Sequence, residues 1–194
     1  PAAIIYGVVK QKARRLLQEH VSVMPEDFVP VVQGRVMKVL GIFSIRPGVD
    51  SIGLSRDGEW LYYAAVNASH LYRVRTADLR DESLSAEALA AKVETFADKT
   101  MSDGITTDNA GDVILSDPEH SAVMLLKPDR SLQTLLKTEK LRWPDGFSFG
   151  PDGWLYVTCS SLHHVIGKPS SEVVANAPYQ VFRFRPGRTA ISGH

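Results

Sequence analysis

Apolar residues fall along this chain in short, evenly spaced runs separated by polar turns. Trp60-Leu61-Tyr62-Tyr63, Leu71-Tyr72-Arg73-Val74, Val113-Ile114-Leu115, Val123-Met124-Leu125-Leu126, Trp154-Leu155-Tyr156-Val157 and Tyr179-Gln180-Val181-Phe182-Arg183-Phe184 have the length, aromatic content and β-branching of strands. Shorter apolar positions lie ahead of three of them: Ile52 and Leu54, Ile105, and Phe147 and Phe149. Asp57-Gly58 and Asp152-Gly153 sit between paired runs and predict two-residue type I′ hairpins, whose central residues both need positive φ. Ala110-Gly111 holds the same place. One stretch has a different period. Leu84, Ala88, Leu89 and Val93 recur at helical spacing over 84–96, with Ser85 as the expected N-cap. Near the amino terminus, residues 13–20 fit a helix, while strand-like pairs at 3–9 and 28–39 fit the remnant of a sheet.

The runs belong to a repeat. Residues 49–63, 102–116 and 144–158 share one pattern, in which an Asp is followed eight positions later by a Gly and then by an apolar strand. The three aspartates are Asp50, Asp103 and Asp145, spaced by 53 (50 to 103) and 42 (103 to 145). A period of roughly 40–50 residues with strand-turn-strand in every copy marks the blades of a β-propeller. The expected fold is therefore all-β, one propeller domain. It divides into a partial blade at 1–40, blades at 41–98, 99–138 and 139–186, and a tail at 187–194. The helical insertion at 84–96 accounts for the longer first interval. About four blades are present with no capping element at either end, where a propeller closes with typically four to eight, so the ring is expected to be open and amino-terminal blades to be missing. The start at Pro1, directly in a strand and without Met, agrees with that expectation. Exposed blade faces would then promote self-association.

Composition narrows the function classes. Lys plus Arg and Asp plus Glu both number 22, which leaves no basic footprint for nucleic acid or an anionic membrane. No apolar run has the roughly 18 residues of a membrane span, and no signal-peptide pattern opens the chain. The single cysteine, Cys159, excludes an intrachain disulfide and a multi-cysteine zinc site, and its place in an alternating strand suits a buried apolar residue. No nucleophile elbow, phosphate loop or dinucleotide fingerprint is present. Asn67-Ala68-Ser69 forms a glycosylation sequon on a predicted turn. His163-His164 invites a metal reading, but neighbours on a strand point to opposite faces and cannot easily chelate one ion.

The repeat text around residues 48–63, then Leu71-Tyr72-Arg73-Val74-Arg75-Thr76-Ala77-Asp78-Leu79, Ser102-Asp103-Gly104-Ile105 and Trp143-Pro144-Asp145-Gly146-Phe147, resembles bacterial members of the major royal jelly protein/Yellow family. The resemblance covers roughly residues 10–186, and the ending at 178–186 looks like that family's own carboxyl end. It implies kinship with the six-bladed gluconolactonase, regucalcin and luciferin-regenerating enzyme group. In that group a divalent ion, usually calcium, sits in the central channel on carboxylate and amide ligands from several blades, as suits a hard cation. Carried over, the resemblance makes Asp50 and Asp103 metal ligands and Asp103 also the catalytic base, with Asp145 and Trp143 lining the ligand channel. The group's ligand Glu belongs to a first blade that this chain lacks. The family also implies a secreted or periplasmic setting.

Two functions follow from the resemblance: a small-molecule binder at the mouth of the channel, or a metal-dependent hydrolase of lactones or related esters. An Asp repeated in every blade also has an architectural reading, because it can accept backbone N–H groups of the next turn. Three carboxylates facing one channel would repel, and a cation or a proton would relieve them.

Overall fold

The computed structural model describes residues 1–39 and 42–193. The chain opens with an antiparallel hairpin of β1 (Ala3–Gly7) and β2 (Lys12–Leu16). Two short ladders follow, β3 (Val31–Val32) with β4 (Arg35–Val36) and β5 (Lys38–Val39) with β6 (Phe43–Ser44). The first blade contains β7 (Val49–Leu54), β8 (Trp60–Ala65), β9 (His70–Arg75) and, after α1 (Thr76–Arg80) and α2 (Ala86–Ala90), β10 (Glu94–Asp98). The second is β11 (Ile105–Thr107), β12 (Val113–Asp117), β13 (Ala122–Leu126) and β14 (Leu132–Lys137). The third has three strands, β15 (Pro144–Phe149), β16 (Leu155–Cys159) and, beyond α3 (Ser170–Ala175), β17 (Val181–Phe184). Each blade is an antiparallel meander, and among the described residues the sheets do not close into a ring.

Strict alternation along the second and third strands builds the core between blades. Tyr62, Ala64 and Leu71 face forward and meet Val113, Leu115 and Leu126. Ile114, Val123 and Leu125 face forward in turn and meet Leu155, Val157 and Phe149. The rear of the first blade, with Tyr63, Val74 and Leu79, is covered by Leu17 and Val23 from the amino-terminal segment. Cys159 is buried within the second of these cores, as its strand position predicted.

Three local expectations change. The 57–58, 110–111 and 152–153 turns are not type I′. Only the glycines have positive φ, and Asp57, Ala110 and Asp152 do not. The loops are longer, closed by Ser55 N–H donating to Trp60 O, Asp108 N–H to Asp112 O and Gly150 N–H to Trp154 O, so a single left-handed glycine suffices. Residues 13–20 are not helical, since Lys12–Leu16 is strand β2. Within 84–96 the helix is only Ala86–Ala90, capped by Ser85 Oγ accepting from Ala88 N–H, and the remainder turns into strand β10. The boundary expected at 40–41 lies outside the described residues.

Residues 24–37 form a strap over the three blades at one end. Its Glu26 Oε1 accepts from Ser69 N–H and Ser69 Oγ on the β8–β9 turn. Val31 N–H donates to Glu119, and Gln33 Nε2 donates to Ser121 Oγ on the β12–β13 turn. Arg35 donates to the carbonyls of His163 and Ile166 beyond β16. Val32 and Met37 enter a small core with Val66, Met101 and Trp143.

Candidate functional site

Two of the three repeated aspartates, Asp50 and Asp145, sit at irregularities in the inner strands, and the third, Asp103, sits just ahead of its own inner strand. Val49 pairs with Ala65 and Ile52 with Tyr63, so three steps on β7 oppose two on β8, with Asp50 and Ser51 in the bulge. Pro144 pairs with Cys159 and Phe147 with Val157, which places Asp145 and Gly146 in the same bulge of the third blade. In the second blade Asp103 precedes β11, and Ser116 Oγ accepts from both Asp103 N–H and Gly104 N–H at 2.9 and 2.8 Å. Thr158 Oγ1 does the corresponding work for Gly146 N–H at 2.9 Å. A bulge re-aims side chains out of the regular ladder. In the second and third blades hydroxyls on the second strands hold these N–H groups, which leaves the Asp103 and Asp145 carboxylates for other partners.

The strand registers put all three aspartates at the end of the blades that carries the strap. They act on one another. Burial, followed by the charges of Asp145 and Asp50, pushes the Asp103 carboxyl up to about 7, while the hydrogen bond from Trp143 pulls the other way. Asp145 is also raised, by burial first and then by Asp50, against a hydrogen bond from Ser160. None of the leading influences on Asp103 is a cationic side chain. Asp103 is 8% exposed, Asp145 is partly buried and Asp50 is open. The inner strands converge here so closely that a Cβ on Gly104 would lie 1.5 Å from the carbonyl oxygen of Asp145. Gly104 is needed for that approach.

Trp143 lies behind the cluster. It is 2% exposed, has a left-handed backbone (φ 57°), and its Nε1 donates to Asp103 Oδ2 at 2.5 Å. His163 stacks on its other side at 6.4 Å and 16°. Gln33 Oε1 lies 3.1 Å from His163 Nε2, so strap, histidine, indole and carboxylate form one line of contacts. His163 and His164 belong to a 3-10 turn, not a strand, and their rings lie 4.1 Å apart. Burial holds His163 down at about 4. Asn67 is fully buried and its Nδ2 donates to the carbonyls of Glu26 and Phe28, so the sequon is closed to glycosylation.

Lys99 was not singled out in the sequence. It is 6% exposed, its Nζ donates to the carbonyls of Ala68 and Thr100, and burial lowers it to about 7. Its only signal was a lysine on the path from a fourth strand to Asp103, and that strand was not legible. Beside the cluster, Asp50 shares the rim of a cavity of about 270 Å³ with Ile5, Leu17, Val49, Leu61 and Tyr63, between the first blade and the amino-terminal segment. The cavity is apolar apart from that carboxylate and the Tyr63 hydroxyl, which is bonded to Ser22 Oγ at 2.8 Å.

Aspartates are hard oxygen donors of the kind that calcium takes. Among the described residues, however, no group of three or more His, Cys, Asp or Glu side chains is arranged to hold a metal ion. One oxygen of Asp103 is already committed to Trp143. The residues present do not make up a metal site by themselves. No helix among the described residues is long and apolar enough to cross a membrane.

Among solved structures, the fold is similar to that of a luciferin-regenerating enzyme, with a TM-score of 0.60 and 13% identity over 100% of this chain and 55% of that chain. It is also similar to a calcium-binding protein, regucalcin, from Agrobacterium tumefaciens, with a TM-score of 0.50 and 16% identity over 98% of this chain and 71% of that one. The chain thus spans about half the length of the first of these proteins, and at such identities the likeness is one of fold. No curated protein matches it in sequence. The sequence model of the major royal jelly proteins matches residues 1–164, which is most of the chain, and the protein belongs to that family.

Proposed function

We propose that the protein binds a small molecule at the end of the propeller where Asp50, Asp103 and Asp145 converge. The observation that carries this reading is the position of Asp50, which joins the carboxylate cluster to the 270 Å³ apolar cavity. Such a place suits a compact ligand with an apolar body and a head that offers positive charge or several hydrogen-bond donors. The head would relieve the repulsion that otherwise draws a proton onto Asp103. Trp143 fixes the orientation of the Asp103 carboxylate, and the bulges at Asp50 and Asp145 together with the start of β11 bring the three side chains to one end.

A titration of straight-chain primary amines, alcohols and carboxylates of increasing length tests it by calorimetry. Amines should bind, their affinity should rise with chain length, and Asp50→Asn should weaken it. Equal binding by alcohols and amines, or none by either, contradicts the reading.

One observation favours a second reading. A carboxyl poised near 7 is matched to proton transfer at neutral pH, which suits a hydrolase base. In that reading Asp103 would take a proton from the attacking water, and Trp143 would hold it in place. The calcium-dependent form of that reading needs oxygen donors beyond Asp50 and Asp103. Hydrolysis of simple lactones, abolished in Asp103→Asn, would favour the enzyme over the binder.

A further inference from the structure

Where His163 stacks on Trp143, positive charge gathers without a carboxylate to neutralise it. The loop between β16 and β17 carries His163 and His164, and arginines fasten it from two directions. Arg35 of the strap donates to the carbonyls of His163 and Ile166. Arg142, whose own carbonyl accepts from Ser161 N–H at 3.0 Å, reaches with its guanidinium to the carbonyls of Asn176 and Pro178. Each guanidinium thereby spends two of its five N–H donors, both on uncharged acceptors. Among the described residues neither arginine has an ion-pair partner.

The two imidazoles feel that charge. His163 is held down first by burial and then by His164, Arg142 and Arg35. His164 is held down by burial, then by Arg142, Arg35 and Lys168. Every neighbour acting on either ring is basic. Lys168 is already bonded to Glu172 at 2.8 Å, which leaves the two arginines uncompensated. His163 Nδ1 is buried and makes no hydrogen bond among the described residues, although Nε2 faces Gln33. The His164 ring lies beside it at 4.1 Å and is only partly buried. Like charges gathered by a fold are relieved by a bound counter-charge, and planar guanidinium forks match the oxygens of an oxyanion.

We propose that Arg35, Arg142 and His164 form an anion site at the foot of the strap, for a doubly charged tetrahedral oxyanion of the phosphate class. Two guanidinium groups balance a dianion, whereas a carboxylate would neutralise only one of them. The site is separate from the carboxylate cluster, because the buried Trp143 lies between Asp103 and the histidines. An anion held by Arg35 of the strap and Arg142 ahead of β15 would also clamp the strap to the third blade.

Inorganic phosphate and sulfate are the probes, titrated into the protein against chloride at equal ionic strength and followed by NMR of the histidine rings. Sulfate stays a dianion throughout a histidine titration, so any change in midpoint belongs to the protein. Both probes should give saturable shifts at His164, with a dissociation constant of about 1 mM or below. The His164 midpoint should move upward, because the bound charge favours the imidazolium. Arg142→Gln should weaken binding about tenfold. If that variant fails to fold, His164→Gln, at a partly exposed ring, gives the same test read at His163, with the same direction of change. Shifts equal to those in chloride, no saturation at tens of millimolar, or unchanged affinity in the folded variants would each overturn the proposal. Arginines that serve only to staple the loop would give the last of these results, with a lower unfolding temperature.

Discussion

The indole Nε1 of Trp143 donates a hydrogen bond to Asp103 Oδ2 at 2.5 Å, across the boundary between the second and third blades. The bond favours the charged form of a carboxyl that burial and two neighbouring aspartates push toward neutrality. It therefore sets how far Asp103 is held between its two protonation states. Trp143→Phe keeps most of the packing but removes the donor. The expected result is a further rise in the Asp103 pKa and a loss of about 1–3 kcal/mol of stability, readable by carboxyl NMR and denaturant unfolding.

The Asp103 shift has a signature in stability against pH. The folded pKa is raised from 3.8 to about 7, so the folded state holds a proton that the unfolded state has lost. That contribution is fully present below about pH 4 and is lost as pH rises through 7. His163 is depressed to about 4 and has the opposite slope between pH 4 and 6.5, so the wild-type curve alone mixes the two. Comparison with Asp103→Asn cancels His163. The variant should gain on the wild type by about 2–3 kcal/mol between pH 5 and pH 8, measured by urea unfolding at both pH values. A constant difference would contradict the shift.

Lys99 makes the converse case. Its folded pKa is lowered from 10.5 to about 7 by burial, so the unfolded chain binds more protons between those values. Wild-type stability should rise with pH across that window. Lys99→Met removes the buried charge and should be more stable than the wild type at pH 6. The advantage should shrink by roughly 3–4 kcal/mol at pH 10.

Gly104 tests the convergence of the inner strands. A methyl group there meets the Asp145 carbonyl at 1.5 Å, and backbone must move to admit it. Gly104→Ala should cost about 3 kcal/mol or more. Gly7→Ala, whose added methyl would make only ordinary contacts at 3.7 Å and beyond, is the control and should stay within about 1 kcal/mol. Thermal unfolding of both separates a local clash from a general dislike of substitution.

Much of this was legible in the sequence for a physical reason. The Asp-to-Gly spacing of the repeats fixed where Asp50, Asp103 and Asp145 would fall, and strands in register had to bring them to one end. The fourth strands were not legible. Glu94–Asp98 follows directly on a helical pattern, and Leu132–Lys137 lies at a half-exposed edge without clean alternation. The turn type was misread because Asp-Gly fits two loop lengths, and only the strand partners choose between them. The bond between Trp143 and Asp103 depends on a left-handed tryptophan, a conformation that nothing in its neighbours announces. The strap reaches its partners on the blades over separations of 39 to 131 residues, a distance at which local pattern is silent.

The central claim is that the three aspartates form one electrostatic unit with Asp103 at its centre. The most direct measurement is a carboxyl-carbon NMR titration of Asp103 in the wild type, Asp50→Asn and Asp145→Asn. The expected result is a midpoint near 7 in the wild type that falls in each variant, because each neutralisation removes a charge that raises it. An Asp103 that titrates near 4 in all three proteins would contradict the claim.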